Sequence, residues 1–466
     1  MSQAQAGSET SSPDAPALPA EFGLATATFV VVASMVGTGV LTTSGFTVDS
    51  VGSNLLMLLL WVLGGVAALC AALTLAELSA ALPRAGGDYV ILYEAYGPVA
   101  AFLAGWVTFL LGNAAPIAAS ASASAAYMLA PLHLAGTQGR WAEQGTATLA
   151  ILAFAAIHIS GQRRTVRVQV TITALKLALL GLFVLAGLAA GWRNAANLVD
   201  SASIDLKTAG EMTFSLVYIT YAYFGWNAAS YLAGEISQPG RNLPRAIGLG
   251  TGAVVLLYLA LNTVYALALP AAEVRRIARE HGANAVAPIA ELAAARLFGT
   301  GLAAPLSLAF GLMLLSSVSA YILTGPRVAF AMARADQFPA FAGHLSPRFQ
   351  TPAKATGLLA ILAIGMLWTG SFKSILIYAS LGMALFSILT IGAVYVLRVR
   401  QPSLHRPFRT PGYPFVPAVY MLISLVLSIA VFIKQTEIAA WSLASIVAGV
   451  PFYYIWRFFR FKSSPG

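Results

Sequence analysis

Apolar residues run almost without interruption through long stretches of this chain, and polar residues collect between them. Continuous runs are found near Leu24–Asp49, Leu55–Leu82, Val99–Leu129, Thr146–Ser160, Val168–Ala190 and Met212–Ala233. Six more lie near Ala246–Leu269, Leu302–Met332, Ala355–Gly370, Ile375–Leu397, Phe415–Ile433 and Ile438–Trp456. A helix needs about 20 apolar residues to cross a hydrocarbon core roughly 30 Å thick. The pattern therefore predicts an all-α integral membrane protein of about twelve spans, the fourth and ninth being short. A transmembrane barrel would alternate apolar and polar positions, and these runs do not.

Composition agrees with this reading. Of 466 residues, 58% are hydrophobic and 9% are charged, against roughly 25% charged in soluble chains. So few charges cannot cover a surface in water. The net charge of +10 follows topology. Basic residues gather in alternate loops: Arg163, Arg164 and Arg167, then Arg241 and Arg245, then Arg348 and Lys354, then Arg406 and Arg409. Positive loops stay cytoplasmic, which places both termini inside and leaves no basic patch for nucleic acid. The lipid bilayer of a prokaryotic inner membrane is the expected setting for so compact a multi-pass chain.

Residues 1–20, rich in Ser, Ala and Pro, read as a disordered cytoplasmic tail without the basic start of a signal peptide. Residues 21–400 read as the transporter core, 401–460 as two further helices and 461–466 as a short cytoplasmic tail. Cys70 is the one cysteine and reads as a small packing residue. The five histidines show no metal-ligand spacing. No glycine-rich phosphate loop occurs. No metal, cofactor or catalytic group is expected, and gradient-driven transport or a channel remains.

Two runs are locally anomalous. The first holds Ser34-Met35-Val36-Gly37-Thr38-Gly39-Val40, and the sixth holds Tyr221-Ala222-Tyr223-Phe224-Gly225-Trp226-Asn227. Glycine costs a helix about 1 kcal/mol relative to alanine. Small residues also permit close helix packing. Occurring as a pair in corresponding spans, however, such interruptions point to an inverted-repeat transporter with broken helices. A break leaves backbone groups that must face a cavity. The N–H groups of a second half-helix suit a carboxylate, and the carbonyls of a first half-helix suit an ammonium group. A zwitterion can thus be held without charged side chains. Charged residues other than Lys176 fall toward the ends of the runs, Glu77, Glu235 and Arg327 being the deepest. Their absence from the middle favours a neutral amino acid as substrate.

Lys176 stands alone in an apolar run, nine residues beyond Arg167, or about 13.5 Å of helix rise. A lysine at mid-helix costs roughly 2.5–3.5 kcal/mol on insertion scales. It could snorkel, gain and lose a proton during a transport cycle, or hold a cation-like position permanently. Ser316, Ser317 and Ser319 share one stretch of the eighth span, and Ser316 and Ser319 are taken as its proton-coupling partners. Asn113 either reaches the cavity or packs as a buried amide. Tyr221, Phe224 and Trp226 are candidates for the side-chain pocket.

At these residues the chain resembles the amino acid–polyamine–organocation superfamily of permeases, from about Phe22 to the last helix. The resemblance rests on Gly37-Thr38-Gly39-Val40, on Ala76-Glu77-Leu78, and on Leu82-Pro83-Arg84-Ala85-Gly86-Gly87-Asp88-Tyr89. It continues through Gly225-Trp226-Asn227, Glu235, Arg241-Asn242-Leu243-Pro244-Arg245 and Arg406-Pro407-Phe408-Arg409-Thr410-Pro411-Gly412-Tyr413-Pro414. Gly225-Trp226-Asn227 looks closest to the L-type exchanger branch. The resemblance implies a LeuT-type fold, five plus five spans in inverted halves near 21–191 and 208–400, with two more helices following. It implies transport of a neutral L-amino acid, by exchange or with protons. Gly37, Thr38 and Gly39 would bind the carboxylate, and the carbonyls of Met35, Tyr221 and Phe224 the amino group, with Gly225, Trp226, Asn227 and Asn113 nearby. Lys176 matches a fifth-helix lysine that replaces an ion in sodium-independent relatives. A channel lacks support, since neither a symmetric pore motif nor rings of charge are present. A membrane-embedded ligand sensor has no appended signalling domain to report through.

Overall fold

The computed structural model describes residues 22–463 except 133, 135, 201–204, 282–287 and 370–371. The two expected tails fall largely outside the described residues, although the last helix runs on through Ser463. Helices dominate. The one β pairing among the described residues is a single bridge between Phe22 and Ile236. In chain order the helices are α1 (Leu24–Met35), α2 (Thr38–Val51), α3 (Asn54–Ala81), α4 (Asp88–Tyr96), α5 (Pro98–Phe109) and α6 (Ala115–Leu129). Next come α7 (Gly136–Ile159), α8 (Gln162–Gly191), α9 (Leu206–Tyr223), α10 (Ala228–Tyr231), α11 (Pro239–Ala268) and α12 (Ala271–His281). The chain ends with α13 (Ile289–Phe298), α14 (Thr300–Arg334), α15 (Ala353–Thr369), α16 (Phe372–Arg400), α17 (Phe415–Lys434) and α18 (Thr436–Ser463).

Among the described residues ten helical stretches, with α1 and α2 taken together as Leu24–Val51 and α5 and α6 as Pro98–Leu132, are long and apolar enough to cross a membrane. The expected ninth span is the 17-residue α15. The expected sixth is divided between α9 and α10. The expected fourth span is longer than its apolar run, because α7 begins at Gly136 and carries polar residues through its first turns. Three helices lie outside every expected span. These are α4, which follows the Gly86-Gly87 turn, and the pair α12 and α13.

Packing sorts the side chains by solvent. Helices α1, α3 and α9 pack around α11 and α2, while α6 lies along α14. Outside them stand exposed Leu59, Leu149, Leu185, Leu256, Ile361 and Leu422. Large apolar side chains spread over so many helices face lipid rather than water. Polar side chains inside the helices mostly bond back to their own turn, as Thr42 does to Thr38 O (2.8 Å) and Thr74 to Cys70 O (2.8 Å).

Glu77, Glu235 and Arg327 enter the interior in ion pairs. Arg327 of α14 lies against Glu235, just beyond α10, with Nε to Oε1 at 3.0 Å. Gln162, at the start of α8, donates to the other carboxylate oxygen at 2.8 Å. Both ionic side chains are buried. Glu77 of α3 takes two bonds from Arg398 and one from the Thr410 N–H, and Arg406 lies 3.4 Å away. This pins the 401–414 loop to the helices. Breaking a buried pair strands a charge and costs about 3–5 kcal/mol, whereas replacing both partners by apolar groups is often neutral. Glu235→Ala is therefore expected to lower stability in detergent by roughly 3–5 kcal/mol, with Glu235→Leu/Arg327→Met recovering most of it. Thermal unfolding followed by tryptophan fluorescence checks this, and an unchanged midpoint for Glu235→Ala contradicts it.

Candidate functional site

Helix α1 stops at Met35, and α2 starts two residues later from Gly37 with no side chain capping it. The last carbonyls of a helix have no partner within it. Here the four from Ala33 to Val36 find donors on three other helices. Lys176 Nζ of α8 donates to Ala33 O (3.3 Å), to Val36 O, and to Ser317 Oγ (3.0 Å). Ser317 Oγ lies 3.1 Å from Ala33 O and 2.8 Å from Val36 O. Tyr321 of α14 donates to Ser34 O at 2.7 Å. The Gly37 N–H donates to Met35 O at 2.8 Å. Tyr258 Oη of α11 lies 2.6 Å from the same oxygen and 3.0 Å from Ala222 O of α9, so one hydroxyl spans the carbonyl ends of both interrupted spans.

The two breaks touch through their glycines. Gly225 has φ +113, a conformation that suits only glycine, and a Cβ there would lie 2.6 Å from the Ser34 carbonyl carbon and 2.7 Å from Met35 N. A Cβ on Gly39 would lie 2.3 Å from the Ala222 Cβ. Gly37 differs, since a Cβ there would meet nothing nearer than Ser317 Oγ at 3.8 Å. At the uncapped start of α2 the first N–H groups are buried with Thr38 and Gly39. The arrangement presents a positive helix end, suited to an anion, beside a set of aligned carbonyls.

A cavity of about 20 Å³ lies against the sixth-span break. Asn113, Tyr221, Phe224, Gly225 and Asn227 line it, together with Tyr321 and Met383. It has room for about one water, so this is a closed form that must widen to admit a larger molecule. Asn113 sits in a π-helical turn, Leu110–Ala114, a distortion frequent at functional sites. Its amide donates to Thr108 O (2.7 Å) and accepts from Thr324 (3.2 Å). No charged side chain is among the described residues lining the cavity.

Other candidates fall elsewhere. Trp226 turns away from the cavity and packs edge-on against Tyr420 of α17, with centroids 6.0 Å apart, lining a separate cavity of about 30 Å³ with Ser380 and Ser424. The reason is local: the positive φ at Gly225 throws the next side chain to the opposite face. The Met35 carbonyl already has partners. Gly37, Thr38 and Gly39 do not line the cavity, and Gly39 backs onto Ala222 of α9. The lysine's serine is Ser317. Ser316 bonds back to Met313 O (2.9 Å), and Ser319 bonds Gln169 (2.6 Å) and His158 (2.9 Å). Tyr258, Tyr321 and Thr324 carried no signal beyond being polar groups in apolar runs.

Apolar helices exposed to lipid, with two mid-span breaks meeting beside an uncharged cavity, define a multi-pass membrane protein of the class that moves small molecules through its helix bundle. The chain belongs to the amino acid permease family, whose model matches residues 22–455. It is 29% identical over 437 residues to the serine/threonine exchanger SteT of Bacillus subtilis, covering 93% of this chain and 96% of that protein. It is 27% identical over 456 residues to the Asc-type amino acid transporter 1 of Mus musculus, covering 96% and 83%. It is 26% identical over 461 residues to the b(0,+)-type amino acid transporter 1 of Homo sapiens, covering 97% and 91%. This is a transporter family and not an enzyme family.

Overpacking a tight contact costs typically 1–3 kcal/mol. Gly39→Ala and Gly225→Ala are expected to lose roughly that much stability together with uptake, while Gly37→Ala keeps the wild-type unfolding midpoint. Thermal melts of the three purified variants check the ranking. Equal midpoints for all three contradict the contact between the breaks.

Proposed function

We propose that this protein is a secondary transporter of neutral L-amino acids that works by alternating access, without sodium, through amino acid exchange or proton symport. The proposal includes a LeuT-type arrangement, with five plus five inverted spans and two further helices, both termini on the cytoplasmic side of a bacterial inner membrane. The observation that carries it is the back-to-back contact of the two breaks, which gathers N–H groups of α2 and carbonyls of α1 and α9 into one place. Those are the groups that recognise an amino acid's carboxylate and ammonium. The uncharged cavity lining favours a neutral side chain. The names of the relatives, a serine/threonine exchanger among them, support the substrate class and favour exchange.

In this reading Lys176 is a fixed cation. Its ammonium has three N–H donors, and three acceptors surround it: two α1 carbonyls and Ser317. A neutral amine would leave one of these contacts without a proton. Holding that charge through the cycle ties the end of α1 to α8 and α14 where a bound metal cation would otherwise be needed, which accounts for sodium independence. Substrate enters by displacing contacts around Met35 O and widening the cavity at Phe224 and Met383.

Reconstituted into liposomes loaded with unlabelled serine, the protein is expected to take up labelled serine or alanine, equally well with sodium or choline outside. No counterflow with any neutral amino acid sinks the proposal, and strict sodium dependence sinks the role given to Lys176. Lys176→Met should lower uptake on the order of a hundredfold, the equivalent of roughly 3 kcal/mol for lost charge-assisted bonds. Uptake at the wild-type rate by this variant contradicts the assignment.

A further inference from the structure

Behind the cavity lies a carboxyl group that the substrate reading does not use. Asp88 begins α4, is 6% exposed, and turns its carboxyl toward the sixth-span segment. Its Oδ2 accepts from the Asn227 amide (3.0 Å) and from Tyr231 Oη (2.6 Å), and Asn227 also bonds that tyrosine at 2.6 Å. Asn227 and Tyr231 both line the cavity. The carboxyl is therefore one hydrogen bond away from the space where substrate would sit.

No cation offsets it. Among the described residues no ion pair involves Asp88. The groups facing it are Asn227 and Tyr231 of the sixth-span segment, Thr390 of α16 and Tyr420 of α17. Arginines of neighbouring elements are engaged elsewhere. Arg84 pairs with Glu94 of α4, Arg327 with Glu235, and Arg398 with Glu77, while Arg400 donates to Ala95 O at 3.0 Å. The second oxygen, Oδ1, is buried with no hydrogen-bond partner, and so is the hydroxyl of Thr390. The start of α4 favours an anion, yet none of its N–H groups reaches Oδ1. Burial pushes the Asp88 carboxyl above the usual range, the bonds from Tyr231 and Asn227 opposing this only in part. A buried carboxylate with an unpartnered oxygen and no counter-charge is costly. The neutral acid is not, and Thr390 of α16 is a hydroxyl that faces the carboxyl.

We propose that Asp88 carries a proton through the transport cycle, holding it while Asn227 and Tyr231 are seated against the carboxyl and releasing it when the sixth-span segment moves away. The proposal rests on the reading of this protein as an amino acid transporter. Proton balance is simple: a carboxylate oxygen takes one proton from water on entering the closed form, and the O–H bond breaks to water when the segment withdraws. Because Asn227 and Tyr231 serve both the cavity and the carboxyl, proton and substrate occupancy are linked, and each changes the affinity for the other.

The test uses full-length protein in liposomes. The wild type should accumulate labelled neutral amino acid under an inward proton gradient and show pH-dependent counterflow. Asp88→Asn, which mimics the protonated acid, should show counterflow that no longer varies with pH and accumulation no greater than without a gradient. Infrared difference spectra should show a protonated-carboxyl C=O band in the wild type that is missing from Asp88→Asn. The proposal is overturned if Asp88→Asn keeps gradient-driven accumulation, or if the wild type exchanges amino acid with no response to pH. It is equally overturned if the infrared band is absent from the wild type, a readout that stands even if Asp88→Asn transports nothing. A wild type that moves no amino acid under any gradient or trans-loading defeats the transport reading instead, and the infrared band still reports whether Asp88 holds a proton.

Discussion

Four carbonyls at the end of α1, from Ala33 to Val36, must find donors in a protein interior that holds little water. Lys176, Ser317, Tyr321 and Tyr258 supply them from α8, α14 and α11. An unsatisfied backbone group in the hydrocarbon region costs several kcal/mol, so the break in the first span exists only because those three helices surround it. The same requirement explains a lysine where insertion is unfavourable: its charge is matched by acceptors that would otherwise be orphaned.

The second constraint is steric. With the first break fixed, the sixth must approach it closely enough for Tyr258 to reach both Met35 O and Ala222 O. Only glycine at 39 and 225 leaves room for that approach. The cavity, the turn that sends Trp226 toward α17, and the placement of Asn227 against Asp88 all follow from the interruption of the sixth span at Gly225. Glu77 and Glu235 are buried in ion pairs that anchor a loop and the end of the sixth span. In the proposed cycle the pairs are the rigid frame, and the groups around the cavity are the moving part.

Much of this is legible in the sequence. Apolar runs of membrane length, glycines paired in the first and sixth runs and a lone deep lysine each have one dominant physical cause. The breaks stand out because glycine flanked by polar residues weakens an apolar helix at a single point. Contacts across helices are less legible. Helical spacing groups Ser316 with Ser319 on one face, but which serine meets Lys176 depends on how α14 is rotated against α8, and Ser317 is the one that does. Trp226 adjoins the break and so points to the pocket in sequence, yet the positive φ at Gly225 reverses its direction. Tyr258 and Tyr321 give no signal, because a tyrosine in a membrane helix is most often packing. Short helices outside the spans, α4 above all, lie below the length that hydropathy can resolve, and the setting of Asp88 is hidden with α4.

The central claim is that main-chain groups of the two breaks grip the amino acid. Solid-state NMR on the protein in lipid, with ¹⁵N-labelled glycine residues and bound amino acid carrying ¹³C at the carboxylate, measures that contact directly. A dipolar coupling between the carboxylate carbon and the amide of Gly39, abolished by excess unlabelled substrate, is the expected result. Displaceable binding with no coupling to any glycine of the first span would contradict the account.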